Sequence, residues 1–139
     1  LSKTFGATIV MGDAIFDLDM DIYAPCALGA TVNPFTISRL KCDIIAGAAN
    51  NQLADESRDG QLCADKGILY APDFLINAGG LINVYSEING YDREHSINQT
   101  RKIYNTTLEI LKKAELENLT THAAALEIAE QIINDRKNA

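Results

Sequence analysis

A chain of 139 residues, 47% of them hydrophobic, is long enough for one domain with a real core, since a domain near this size buries roughly 70% of the surface its unfolded chain exposes. The formal net charge of −7 argues against a nucleic-acid backbone or an anionic membrane as partner, because Lys and Arg are scattered and form no basic patch to offset the repulsion. No apolar run is long enough to cross a bilayer, and Leu1-Ser-Lys-Thr-Phe-Gly6 lacks the basic-then-apolar plan of a signal peptide. Cys26, Cys42 and Cys63 are odd in number, far apart and without a Cys-x-x-Cys pair, which suggests neither a disulfide framework nor a zinc site and fits a reducing cytoplasm. The absence of Met at position 1 and an opening that reads like a helix tail lead us to expect a fragment.

Gly6 is placed to end whatever helix precedes it, and the β-branched run Ala7-Thr-Ile-Val10 reads as a strand. Asp21-Ile-Tyr-Ala24 and Asp43-Ile-Ile-Ala46 read as the next two strands, apolar beyond their first residue, as expected where helices cover both faces of a sheet. Between them Asn33, at a cap position, and Pro34, at the first helical position, predict a helix to Leu40. Asp59 to Lys66 forms a short helix before a fourth strand at Gly67-Ile-Leu-Tyr-Ala71. From Ala78 the period becomes helical, with Leu81, Val84 and Ile88 on one face and Gly90 closing the segment. A second long helix runs from about Asp92, a capping residue, to Glu117, with Ile97, Arg101, Tyr104, Leu108 and Leu111 at three- and four-residue spacing. A third starts near Thr120 or Thr121 and carries Ala124, Ile128 and Ile132. The order β-α-β-α-β with a helical tail makes the fold class α/β with a parallel sheet.

Three strand ends in this series finish in small residues and a turn: Ala24-Pro-Cys-Ala-Leu-Gly-Ala30, Ala46-Gly-Ala-Ala-Asn-Asn-Gln-Leu53, and Tyr70-Ala-Pro-Asp73 followed by Ile76-Asn-Ala-Gly-Gly80. A parallel sheet gathers such loops at one edge, where ligands bind. Adjacent amides at Asn50 and Asn51 can reach a cofactor and a substrate, each offering donor and acceptor, although a turn or helix cap reads equally well from the residues alone. Gly79 and Gly80 allow a flat ligand to approach the backbone, and Asn77 can cap the following helix or present its amide. Nucleophilic use of Cys26 requires a base beside it, and the sequence places neither His95 nor His122 there; both histidines read as surface residues. No convergent His, Cys or carboxylate set supports a metal site. Leu81 and Val84 share a helix face, which by pattern alone is core packing.

Taken together and in order, these four motifs closely resemble the amino-acid dehydrogenases acting on glutamate, leucine, phenylalanine or valine, with the leucine dehydrogenases as the best match over nearly the whole chain. The resemblance implies that Ala27 and Asn50 line a dinucleotide, Asn50 near the nicotinamide ribose, with Asn77 and Gly79 near the nicotinamide ring. It implies that Asn51 holds the amino-acid group of the substrate, and that Leu81 and Val84 line the pocket for the substrate side chain. An apolar pair there would leave a glutamate carboxylate buried and unpaired, so a branched aliphatic substrate is favoured, with leucine, valine and isoleucine not separable.

A dinucleotide-binding unit opens with strand, G-x-G-x-x-G and helix, followed by an acidic residue, and none of these is present. The family's catalytic lysine and its partner carboxylate are also absent, so no catalytic residue is assigned to this chain, which is expected to be inactive alone. The expectation is therefore a partial Rossmann-like parallel sheet lacking the first strands and glycine-rich loop. It forms one domain, residues 1–76 supplying βα units and 77–139 a helical portion that closes it. The resemblance further implies NAD as cofactor, a branched-chain amino acid or its 2-oxo acid as substrate, and a homo-oligomeric full-length enzyme. The alternatives are phenylalanine or glutamate specificity, or a noncatalytic α/β scaffold or protein-binding module.

Overall fold

The starts of four helices in this chain are written by short polar side chains that satisfy the first free backbone N–H groups. The computed structural model describes residues 2–88 and 90–138; Leu1 and Ala139, the ends of the expected domain, and Asn89 lie outside. After α1 (Ser2–Phe5) and a 3-10 turn at Gly12–Asp17 comes α2 (Pro34–Arg39). Asn33 caps α2, accepting from the N–H of Phe35 and of Thr36, both at 3.1 Å, while Thr36 Oγ1 accepts from Asn33 N at 3.0 Å. Asp55 opens α3 (Glu56–Asp65), accepting from Arg58 N at 2.8 Å. Asp92 opens α6 (Arg93–Glu117) and Thr120 opens α7 (Thr121–Lys137) in the same way. Two further helices, α4 (Asp73–Ile76) and α5 (Gly79–Ile88), follow the last strand.

The sheet is small and parallel: β1 (Ile22–Tyr23), β2 (Ile44–Ile45) and β3 (Leu69–Tyr70) lie side by side in that order, with Ile22, Ile44 and Leu69 in one register row and Tyr23, Ile45 and Tyr70 in the next. Successive side chains point to opposite faces. The second row is buried and meets Phe16, Val32, Ile37, Leu40, Leu53, Cys63 and Ile68 in the main core. Each side chain wholly buried there, such as Ile45 or Leu40, contributes about 1.5–3 kcal/mol. A second cluster, Ile110, Ala114, Ala124 and Ala125 with Leu75, Leu119 and Ile128 against it, fastens α6 to α7. Lys113 adds an ion pair to Glu127 at 3.0 Å across that seam and one to Glu117 at 2.6 Å along α6 itself.

Lys66, just past α3, reaches back to the end of α2, where its Nζ donates to the carbonyls of Ile37 at 2.5 Å, Ser38 at 2.9 Å and Leu40 at 2.7 Å. A cation on the last carbonyls of a helix satisfies acceptors that have no partner within it. Lys66→Met is expected to lower stability by about 1–3 kcal/mol, read as a lower urea midpoint with an unchanged slope; an unchanged midpoint would show the clamp to be solvent-screened.

Several sequence expectations are corrected. Residues 7–10 form no strand: Ile9 is 74% exposed, and among the described residues no segment pairs with the run. A β-branched segment without a ladder partner has nowhere to place its backbone donors except water. Coverage of both sheet faces is not seen either, since Ile22 is 52% and Leu69 40% exposed on the row opposite the core. Helix α3 begins three residues before Asp59, which instead lies buried under Arg58 at 2.7 Å and accepts from Asp55 N at 2.8 Å. Burial alone would push the Asp59 carboxyl up, but these bonds together outweigh it and hold it below the usual range. Helix α6 has the expected bounds, and its Ile97, Tyr104 and Leu108 face outward, because α7 meets the helix at Ile110 and Ala114. His122 is buried rather than on the surface, edge-on to the Phe74 ring and 3.4 Å from Glu56 Oε2.

Candidate functional site

Because the three strands are parallel, the loops that follow them leave the sheet at the same edge. The first two are zipped together by backbone bonds: Ala49 N donates to Pro25 O at 2.9 Å, Ala30 N to Asn51 O at 2.7 Å, and Val32 N to Gln52 O at 2.9 Å. This approach is possible only because Gly47 and Gly29 lack side chains. A Cβ on Gly47 would sit 2.1 Å from Pro25 O, and one on Gly29 would sit 2.9 Å from both Asn50 O and Asn51 O. The third loop joins through a side-chain bridge, Asn77 Nδ2 donating to Asn50 Oδ1 at 2.6 Å.

The result is a rim of carboxamides on a rigid edge. Asn50 is exposed, and its Oδ1 accepts from Asn77 Nδ2. Asn51 is exposed with φ 52°, the left-handed region that asparagine tolerates better than most residues. Ala27 sits exposed in the first loop, where Cys26 Sγ accepts from Ala48 N at 3.5 Å. Asn77 occupies the C-terminal cap of α4 rather than the start of α5, and its side chain goes to Asn50. A side chain on Gly79 would meet only Thr100 Cγ2, at 3.6 Å, so the entrance to α5 is open. Leu81 and Val84 are 73% and 54% exposed, so neither is packed into the core of the described residues. Leu81 also borders a half-open groove of about 680 Å³ between α5 and α6, lined by Ile82, Tyr85, Ser86, Asp92 and His95.

Behind the rim lies a buried polar network that the sequence did not single out. Gln52, fully buried, donates from Nε2 to Gly47 O at 2.6 Å and Ala49 O at 2.9 Å. Asp73, also buried, accepts from Gln52 N at 3.3 Å and from the Tyr70 hydroxyl at 3.0 Å. Burial first, and then the nearby Asp73 carboxylate, push the Tyr70 hydroxyl well above its ordinary range, so it stays a proton donor. Asp after Pro is an ordinary turn residue, and nothing in the spacing of Gln52 or Asp73 distinguishes them.

Nucleophilic chemistry finds no support here. Burial pushes the Cys63 thiol up to about 12 and raises that of Cys42 as well. His95 is exposed on α6 beside Gln99, and His122 lies in the seam of α3 and α7; neither hydrogen-bonds to Cys26. Among the described residues no three His, Cys, Asp or Glu side chains gather as a metal site would require.

A parallel sheet whose connecting loops gather at its carboxyl edge, followed by helices, defines a Rossmann-like α/β protein, and its structural neighbours are amino-acid dehydrogenases of that fold. The chain belongs to the glutamate/leucine/phenylalanine/valine dehydrogenase family, which it matches over residues 2–137. It is 51% identical to the L-tryptophan dehydrogenase of Nostoc punctiforme over the whole of this chain and 39% of that protein. It is 48% identical to the leucine dehydrogenase of Thermoactinomyces intermedius over 94% of this chain and 36% of that one. The crystal structure of the Nostoc enzyme superposes with a TM-score of 0.94 over 99% of this chain and 41% of the other. The chain thus spans about two fifths of the length of these relatives.

Proposed function

We propose that this chain is one wall of the active-site cleft of an NAD-dependent amino-acid dehydrogenase that reversibly deaminates branched-chain L-amino acids to 2-oxo acids and ammonia. Residues 1–76 act as the dinucleotide-facing part and residues 77–139 as the helical part that closes the domain, while catalytic groups come from outside this chain. The observation that carries the reading is the carboxamide rim of the second and third loops, bridged at 2.6 Å between Asn77 and Asn50 and followed in the chain by the exposed apolar pair Leu81 and Val84. Exposed Ala27 and the uncrowded Gly79 fit a flat, sugar-bearing cofactor, and the exposed carboxamide of Asn50 is the group assigned to meet it. NAD, when bound, accepts the hydride; the residues of this chain orient it and exclude water from one side.

Asn51 then holds the substrate amino-acid group, and Leu81 and Val84 receive its side chain. A distal carboxylate at this wall finds no donor on either residue and stays desolvated and unpaired. The tryptophan dehydrogenase relative and the groove beside Leu81 support a second reading in which the side chain is aromatic. In the intact enzyme carrying this chain, kcat/KM for leucine, valine and isoleucine is expected to exceed that for glutamate by more than about 100-fold. Tryptophan or phenylalanine above all three aliphatic substrates would establish the second reading, and a preference for glutamate would sink both.

A further inference from the structure

We infer that Asp73 and Gln52 are positioning residues that hold the Asn50–Asn51–Asn77 rim in register, an inference resting on the dehydrogenase reading because only a bound cofactor and substrate give that register a purpose. Asp73 is 7% exposed and connects two loops from one carboxyl group. Its Oδ2 accepts from Gln52 N at 3.3 Å in the second loop, and its Oδ1 accepts from Tyr70 OH at 3.0 Å at the end of β3. Its backbone carbonyl accepts from Asn77 N at 3.0 Å, so the same residue seats the turn that carries Asn77.

Gln52 closes the other side. With Nε2 on Gly47 O and Ala49 O it draws the loop into a ring behind Asn50 and Asn51, and the left-handed turn at Asn51 is the geometry by which the chain re-enters the protein. Both exposed amides of the second loop are therefore flanked by buried anchors, and the bridge from Asn77 to Asn50 spans two elements whose separation Asp73 sets. Tyr70 is itself fixed from behind, Thr121 Oγ1 donating to its carbonyl at 2.5 Å, so the anchor extends to α7. Catalytic groups must be held within fractions of an ångström by neighbours whose own geometry is locked, and that is the service these two side chains perform.

The chemistry suggests a discriminating pair of variants. Asp73→Asn keeps one acceptor for Gln52 N and turns its amide to the Tyr70 oxygen, which can accept, so the register survives. Asp73→Leu has similar bulk and removes both acceptors. In the 139-residue chain, the Asp73→Leu variant is expected to shift the side-chain NH2 resonances of Asn50 and Asn77 toward those of unbridged amides while α6 and α7 signals stay in place, and Asp73→Asn is expected to restore them. In the intact enzyme Asp73→Leu is expected to raise the KM for amino acid about tenfold or more with a smaller change in kcat, again recovered by Asp73→Asn. Gln52→Met provides the same readout where Asp73→Leu fails to fold. Unchanged Asn50 and Asn77 resonances in a folded variant, or loss of the fold in both Asp73→Leu and Gln52→Met, would overturn the positioning role. A wild-type intact enzyme that binds no nicotinamide dinucleotide would instead overturn the dehydrogenase reading and leave the resonance result standing.

Discussion

Gly47→Ala is expected to be the most damaging single-methyl change in this chain. The added Cβ would lie 2.1 Å from Pro25 O and 2.5 Å from Pro25 N, and both are backbone atoms of a buried proline rather than the end of a flexible side chain. To relieve the overlap the first and second loops must part, which breaks the bond from Ala49 N to Pro25 O at 2.9 Å and withdraws Ala49 O from Gln52. Overpacking alone costs about 1–3 kcal/mol, and the lost buried bonds add to it, against a total stability of about 5–15 kcal/mol for an ordinary domain. A fall in urea midpoint of that size, together with collapse of the Asn50 and Asn77 amide signals, is the expected measurement. A variant within experimental error of the wild type would mean that the two loops do not approach as closely as the rim requires.

Asn51→Gly isolates the amide from the backbone that carries it. Glycine takes φ 52° without strain, so the fold and the bond from Ala30 N to Asn51 O at 2.7 Å are expected to persist. The side chain that would hold the charged amino-acid group is gone. Loss of one hydrogen bond to a charged group is worth about 1.5–3 kcal/mol, so kcat/KM for the amino acid in the intact enzyme is expected to drop roughly 10- to 150-fold, mostly in KM, with the affinity for dinucleotide little changed. Asn51→Ala is expected to do the same and also to lose stability, because a Cβ without a compensating polar group is disfavoured in left-handed backbone. Equal activity in wild type and Asn51→Gly would remove Asn51 from the substrate side of the rim.

The helices were largely legible because their signals are local. Asn33 with Pro34, Asp92 and Thr120 each satisfy N–H groups two or three residues ahead, so six residues of sequence contain the whole interaction, and the structure starts α2, α6 and α7 at those caps. Strands at 22, 44 and 69 were legible as apolar runs bounded by turns. The run at 7–10 has the same local appearance and fails, since a strand is completed only by a partner far away in the chain. On α6 the spacing foretold the helix but could not say which face is buried. Two apolar stripes run along that helix, and the packing of α7 rather than the periodicity chooses Ile110 and Ala114.

The sequence by itself determined the class of fold, the order of its elements and the small-residue and asparagine motifs that mark the family, because each is a statement about residues close together in the chain. Only the tertiary structure decided that Gly47 must touch Pro25, that Asn77 bridges to Asn50 instead of capping α5, that His122 is interior, and that Gln52 and Asp73 lie behind the rim. Those outcomes depend on pairs of residues about 20 to 66 positions apart, from Gln52 with Asp73 to Glu56 with His122, and the energy of such a contact exists only once the intervening chain has been folded to bring its two halves together.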